Sequence, residues 1–294
     1  MMKPGERWEA AMRSGDLNEA WRITDALEAA RRAGDSAGPN HLLWDGRALK
    51  GERVLIRCLH GLGDTIQFAR FVPSLASLAK SVRFLVQPCL VELLHSQAGM
   101  GSVGNIWTDF HERGSVELEV MELAYALRAT PSEIAAAVPC LRVDRDGGRQ
   151  GAASPRIGFV WASSAWDRSR SLDPESLQRM LDVPDVEFFN LTQAAPVEGH
   201  WTDVSLHTRD VRAAASFMCG LDLIIAVDTF AVHLAGSLGC PVWVLLRRHA
   251  DWRWGAEPDR TFWYPTARLF RQDEARDWVR VVERVRKALI RRDF

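Results

Sequence analysis

The spacing of apolar positions changes along the chain, and each change marks an element. Residues 6 to 33 carry Trp8, Ala11 and Met12, then Ala20, Trp21, Ile23 and Leu27, at helical intervals broken by Ser14-Gly15-Asp16. This predicts two short helices joined as a hairpin. One hairpin cannot bury both its faces, so it either packs on the main body or is the remnant of a helical-repeat array. Gly34 to Lys50, punctuated by Gly, Pro and Asn, reads as a linker.

The chain is organised around the stretch from Arg53 to Leu75. Val54-Leu55-Ile56 with Cys58 and Leu59 is short, apolar and partly β-branched. It stops at His60-Gly61-Leu62-Gly63-Asp64, after which Ile66, Phe68-Ala69 and Val72 take up helical spacing. The pattern is strand, glycine turn, helix. Further strands are expected at Val82 to Val86, Asn105 to Trp107 and Glu117 to Met121, with helical segments at Leu90 to Gln97 and Glu122 to Leu127. Asp144 to Ser154 is polar, Gly-rich and aperiodic, and is the best candidate for a domain boundary. A second series sets strands at Ile157 to Trp161, Val186 to Leu191, Leu223 to Val227 and Val242 to Leu246 against helices at Pro174 to Leu181, Val211 to Met218, Thr229 to Leu238 and Glu274 to Ile290. Such alternation predicts an α/β chain with two doubly wound, Rossmann-like parallel-sheet domains. The expected bounds are 1–40 for the hairpin, 41–148 for the first domain and 149–294 for the second, with a ligand cleft between the two sheets.

Composition narrows this picture only a little. With 294 residues, 47% hydrophobic and 26% charged, the chain is an ordinary globular protein with room for two domains. A net charge of -1 gives no electrostatic reason to expect nucleic acid as a partner. Lysine occurs only at Lys3, Lys50, Lys80 and Lys287, so nearly all positive charge is arginine, from genomic base composition or from bidentate phosphate recognition. Five widely spaced cysteines without a C-x-x-C pattern suggest buried free thiols in a reducing compartment. No apolar run approaches the ~18 residues of a membrane span, and the opening residues lack a signal-peptide core. A cytoplasmic protein is expected, at most peripheral to the inner membrane.

Four stretches could carry chemistry. Asp64 stands where a helix N-cap belongs and can also point beyond the strand's carboxyl end, so it is a cap or a catalyst. Gly61 and Gly63 can take positive φ or let a ligand approach the backbone, but they do not form a dinucleotide fingerprint. At Leu221 to Leu246 a strand runs into Asp228-Thr229 and a helix, a ready anion site. His233, one turn on, is either a phosphate or sugar donor or a satisfied helix histidine. The loop within Val160 to Leu172 holds Ser163, Ser164, Asp167, Arg168, Arg170 and Ser171, suited to phosphate oxygens or simply solvated. Arg247 to Arg271 carries Trp252, Trp254, Trp263 and Tyr264, either core or a platform under a sugar or base.

HGLGDTIQFARFVPSLA, VWASSAWDRSRSL, DLIIAVDTFAVHLAGSLGCPVW and the DWRW and WYPTARLFRQ segments together resemble the glycosyltransferase-9, heptosyltransferase-like module found behind tetratricopeptide repeats in many bacterial proteins. The resemblance covers about Trp44 to Phe294, and it makes the hairpin look like a last repeat. It implies a GT-B fold and an inverting enzyme with Asp64 as general base, Gly61, Gly63 and Gln67 on the acceptor side, and Ser163, Arg168, Arg170, Ser171, Asp228, Thr229 and His233 around a nucleoside-diphosphate sugar. It implies no metal and no cofactor beyond that donor, and a glycan, small-molecule or protein acceptor. The chain departs from heptosyltransferases proper at Phe230 and Leu246-Arg247 and has no lysine in the Ser163 to Ser171 loop, so reaction class and fold follow but heptose does not. The rival expectation is a non-catalytic scaffold that kept the core; a third is a GT-B epimerase.

Overall fold

A computed structural model describes residues 2–33, 42–144, 154–193, 197–204, 210–275 and 277–294. Much of both expected linkers, 34–41 and 145–153, lies outside the described residues. The chain forms two compact units, Met1–Ala137 with Trp252–Ala256, and Val138–Asp251 with Glu257–Phe294. The sequence suggests a boundary within Asp144 to Ser154; Val138 already goes with the second unit, in which the N–H groups of Cys140 and Leu141 donate to the Ser237 carbonyl at 2.9 and 3.0 Å.

In the first unit, helices α1 (Pro4–Ser14) and α2 (Leu17–Arg32) form the expected hairpin. Gly15 closes α1 at φ 78, the left-handed conformation that glycine adopts without penalty, and Asp16 caps α2 by accepting from the Glu19 N–H. The hairpin packs on the body of this unit. The buried Trp21 indole donates to the Ala129 carbonyl at 3.1 Å, and Asp25 accepts from the Tyr125 hydroxyl at 2.6 Å and pairs with Arg128.

The body comprises β1 (Arg53–Arg57), α3 (Leu62–Phe68), α4 (Val72–Leu78), β2 (Ser81–Val86), α5 (Val91–His95), β3 (Ser102–Asn105), β4 (Val116–Glu119), α6 (Leu123–Ala126) and α7 (Pro131–Ala136). The strands run parallel in the order β3-β2-β1-β4, with Ile56 of β1 in register with Phe84 on one side and Leu118 on the other. β3 lies earlier than Asn105 to Trp107. The strand ends at Asn105 because its Oδ1 accepts from the Trp107 N–H at 2.9 Å, which turns the chain. Trp107, expected inside a strand, instead follows it and is 74% exposed.

The second unit comprises β5 (Arg156–Val160), α8 (Pro174–Leu181), β6 (Glu187–Asn190), β7 (Thr202–Asp203), α9 (Val211–Cys219), β8 (Leu223–Val227), α10 (Phe230–Leu238), β9 (Val242–Leu246), β10 (Ala267–Arg271) and α11 (Val279–Ile290). Its six parallel strands take the order β10-β9-β8-β5-β6-β7. The chain winds outward from β5 to β7, then returns to the other side of β5 and winds outward again, the doubly wound arrangement. Leu177 and Met180 of α8 and Val281 and Val285 of α11 cover one face over Ile157, Phe159, Leu223 and Ile225. Trp263 and Tyr264 are fully buried here, so these aromatics are core rather than platform. None of the five cysteines is in a disulfide; Cys58 and Cys240 are buried, whereas Cys89, Cys140 and Cys219 are half-buried. No helix among the described residues is long and apolar enough to cross a membrane.

Gly236 on α10 shows how tightly this unit is packed. A Cβ there would meet Tyr264 ring carbons at 2.3 and 2.6 Å, and a fully buried ring cannot step aside cheaply. Gly236→Ala is expected to lower stability by about 1–3 kcal/mol through overpacking, outweighing the ~1 kcal/mol that alanine gains over glycine inside a helix. A urea midpoint that rises in this variant would contradict the packing described.

Candidate functional site

Parallel strands set all their carboxyl ends at one edge of a sheet, and a crevice opens where the winding reverses. In the first unit that point lies between β1 and β4, and in the second between β5 and β8. Both points coincide with stretches that the sequence singles out.

At the first, β1 runs through Cys58 and Leu59 into His60 and Gly61. Gly61, not Asp64, is the N-cap residue of α3, and Asp64 is the third residue of the helix. Its Oδ2 reaches back to accept from the Gly61 N–H at 3.1 Å, so Asp64 satisfies a free backbone donor from inside the helix. Neither Gly61 nor Gly63 has positive φ; a side chain at Gly61 would only brush the Asp64 carboxylate, at 3.3 Å. The second carboxylate oxygen, Oδ1, accepts from Arg253 Nη2 at 2.6 Å. Arg253 Nε donates to Gln67 Oε1 at 2.8 Å, and its guanidinium lies 4.4 Å from the Trp252 ring centre. Gln67 is therefore beside Asp64, but as a fully buried partner of Arg253 rather than as an open ligand group.

Across this crevice, Glu119 at the end of β4 accepts from the Leu59 and Met121 N–H groups and pairs with His60 Nδ1 at 3.0 Å. Glu122, almost wholly buried, accepts from the backbone N–H groups of Glu119, Trp44 and Leu43. Burial pushes its carboxyl up to about 7 against those three donors, with the neighbouring Glu119 charge acting in the same direction as burial. Burial and the nearby carboxylate charges likewise push the Cys58 thiol up, against a hydrogen bond with Thr65 that favours the thiolate, so Cys58 is no nucleophile at neutral pH.

At the second switch point the loop after β5 and the start of α10 meet. Arg170 Nη1 donates to the Asp228 carbonyl at 2.8 Å, and its Nε lies 3.6 Å from Asp167 Oδ2. Asp167 also pairs with Arg247 at 2.9 Å. The Ser169 hydroxyl, then the Arg247 and Arg170 charges, hold the Asp167 carboxyl below its ordinary value. Ser163 and Ser171 face each other, their hydroxyls 3.2 Å apart, and the Ser163 hydroxyl donates to the Asp167 carbonyl at 2.6 Å. Thr229 is the N-cap residue of α10, yet its hydroxyl makes no capping bond and is buried with no hydrogen-bond partner among the described residues. A helix start without a side-chain cap, an unused buried hydroxyl and two guanidinium groups form an arrangement whose charge suits an anion. Arg168 is exposed and makes no side-chain hydrogen bond or ion pair among the described residues, so it does not join this cluster. His233 is buried, with Nδ1 2.9 Å from the Tyr264 hydroxyl, the position of a packed helix histidine.

The sequence marks Arg247 and Arg253 only as members of the tryptophan-rich stretch, without a role, and gives no sign of the His60–Glu119 pair. Arg253 was hidden by distance along the chain, although an arginine between two tryptophans is a recognisable buried-cation signal. A groove of about 350 Å³ between α8 and α11 is lined by Arg179, Asp182, Glu283 and Arg286; its walls are helix faces, and no strand end opens into it.

No known family model matches the chain. It is 24% identical over 328 aligned residues to Protein FlbA of Caulobacter vibrioides, covering 95% of this chain and 53% of that protein. The chain thus spans about half the length of this curated relative. In fold it is similar to E. coli heptosyltransferase WaaC solved with ADP, with a TM-score of 0.52 and 11% identity over 82% of this chain and 97% of that one. It is equally similar to E. coli ADP-heptose lps heptosyltransferase II, at 0.52 and 13% over 82% and 100%. The iron-containing dodecameric glycosyltransferase TibC of enterotoxigenic E. coli gives 0.53 and 13% over 68% and 59%. The two parallel-sheet units therefore have the fold of the heptosyltransferase-like glycosyltransferases.

The raised Glu122 carboxyl makes stability depend on pH. Its folded value of about 7 exceeds the ordinary 4.5, so between these the folded chain holds more protons than the unfolded one, and stability falls as pH rises through the window. The carboxylates held below their ordinary values, such as Asp25 and Asp167, titrate below this window and do not mask it. Between pH 5 and 8 the wild type is expected to lose up to about 3 kcal/mol through this group, and Glu122→Gln is expected to flatten the slope. Parallel urea titrations of the two proteins across that range check this; equal slopes would contradict it.

Proposed function

We propose that the chain is an inverting, metal-independent glycosyltransferase that moves a sugar from a nucleoside-diphosphate sugar to an acceptor hydroxyl. The observation that carries the reading is the contrast between the two switch points. One presents a carboxylate at a strand's carboxyl end; the other presents paired arginines, serine hydroxyls and a helix start. In this reading Asp64 takes the acceptor proton as the oxygen attacks the anomeric carbon, while the bond from that carbon to the diphosphate breaks. The N-terminal end of α10, with Thr229, Arg170, Arg247, Ser163 and Ser171, receives the charge that develops on the leaving diphosphate, which is the service a metal ion performs elsewhere. His233 supports α10 through Tyr264. A glycan, a small molecule or a protein side chain can supply the hydroxyl, and five cysteines outside any disulfide fit a reducing cytoplasm.

A second reading, a non-catalytic scaffold, is favoured by one specific observation. Both oxygens of Asp64 are already engaged, by Gly61 and by Arg253. A carboxylate has about four acceptor sites, so two bonds leave room for a third at an acceptor hydroxyl. Asp64→Asn separates the readings, because asparagine preserves the shape and one acceptor oxygen but not the base. Turnover, or slow donor hydrolysis with water as acceptor, is expected to fall ~10²–10⁴-fold while donor affinity holds. Full turnover in the folded variant would remove Asp64 from the chemistry.

A further inference from the structure

The chain sends a short strap, Trp252–Ala256, back to the first unit. The strap is held at both ends. The Ala256 N–H donates to the Arg13 carbonyl of α1 at 2.8 Å, and Trp252 meets Trp8 of α1 edge-on at 5.3 Å. Between these anchors Trp254 is fully buried and Arg253 nearly so, 9% exposed. A cation so buried is tolerated only with partners, and the fork of this guanidinium divides between Asp64 Oδ1 and Gln67 Oε1, on one face of α3.

Gln67 shows that this arrangement is costly. Its Oε1 is committed to Arg253, and its Nε2 is buried with no hydrogen-bond partner among the described residues. An orphaned buried amide N–H is a penalty that folding alone would select against, and such penalties gather where geometry matters more than stability. Asp64, by contrast, is half-exposed, with a side chain 26% accessible. A carboxylate held rigidly from behind by Arg253 and from below by Gly61, with its remaining lone pairs open, has one fixed direction in which to accept.

We propose that Arg253 is a positioning residue that fixes the Asp64 carboxylate from the strap, so that the base and the α1-anchored strap form one assembly. This rests on the proposed role of Asp64. A misplacement of the base by about 1 Å costs ~10²-fold in turnover, which sets the expected effect.

The test combines kinetics with a readout that needs no turnover. In Arg253→Ala, kcat for transfer or donor hydrolysis is expected to fall ~10²-fold with the donor KM within about twofold of wild type. Arg253→Lys, which keeps the charge but cannot bridge to both partners, is expected to fall between. Guanidinium ion, added well below denaturing concentrations, is expected to restore part of the alanine variant's turnover and to leave wild type unchanged. Independently, amide hydrogen exchange at Gly61 is expected to accelerate in both variants, because its acceptor Oδ2 loses its anchor. Unchanged exchange at Gly61 would overturn the proposal whatever the kinetics show, as would a loss of kcat that is equal in both variants and unmoved by guanidinium. Accelerated exchange together with wild-type turnover in Asp64→Asn would uphold the positioning and indict the base assignment instead.

Discussion

Every strand pairing among the described residues is parallel, and the placement of both candidate sites depends on that constraint. Parallel strands cannot be joined by tight turns, so each needs a crossover, and the crossovers cover the sheet faces with helices. They also gather every strand's carboxyl end at one edge, where loops are free of packing duties. In the four-stranded sheet the winding reverses between β1 and β4, and in the six-stranded sheet between β5 and β8. The chemistry-bearing side chains of each unit stand at that reversal because two neighbouring connections depart there to opposite faces and leave the edge open.

The charges at the two openings are arranged differently. In the second unit, arginines face a helix start whose backbone is itself electropositive, and Asp167 is drawn in among them. In the first unit the excess is acidic. Asp64, Glu119 and Glu122 crowd the ends of β1 and β4, and they are kept apart by distinct partners: Arg253 for Asp64, His60 for Glu119, backbone N–H groups for Glu122. Three carboxylates in one crevice are tolerable only when each has hydrogen-bond partners of its own. Glu122, held by backbone donors rather than by a cation, is the one that burial drives toward protonation.

Much of the fold is legible in the sequence because buried parallel strands are nearly continuous apolar runs. Leu223–Val227 and Val242–Leu246 appear with the bounds that their Val, Ile and Leu content suggests. β10 is not legible, since Ala267–Arg271 interrupts its three apolar residues with arginine and offers neither a continuous apolar run nor a regular alternation, and β7 is only two residues long. Asp64 is legible as a helix-start carboxylate, but its place in the third position rather than the cap comes from Gly61 taking the extended conformation, which either role would have allowed. Arg253 lies 189 residues from Asp64, and no local pattern carries a pairing over such a distance. Arg170 and Asp228, 58 residues apart, can be put together only because both lie beyond the ends of strands that the winding makes neighbours.

A sugar-transferring chain of this fold needs a nucleoside diphosphate in the opening between β5 and β8. Isothermal titration of the wild type and Arg170→Ala with ADP, GDP, UDP and CDP, without added metal, probes that opening directly. At least one of these nucleotides is expected to bind the wild type, and Arg170→Ala is expected to weaken that binding by roughly 10–100-fold, the value of a charge-assisted bond of about 1.5–3 kcal/mol. Binding of none of them, or equal binding by both proteins, would contradict the proposed donor site.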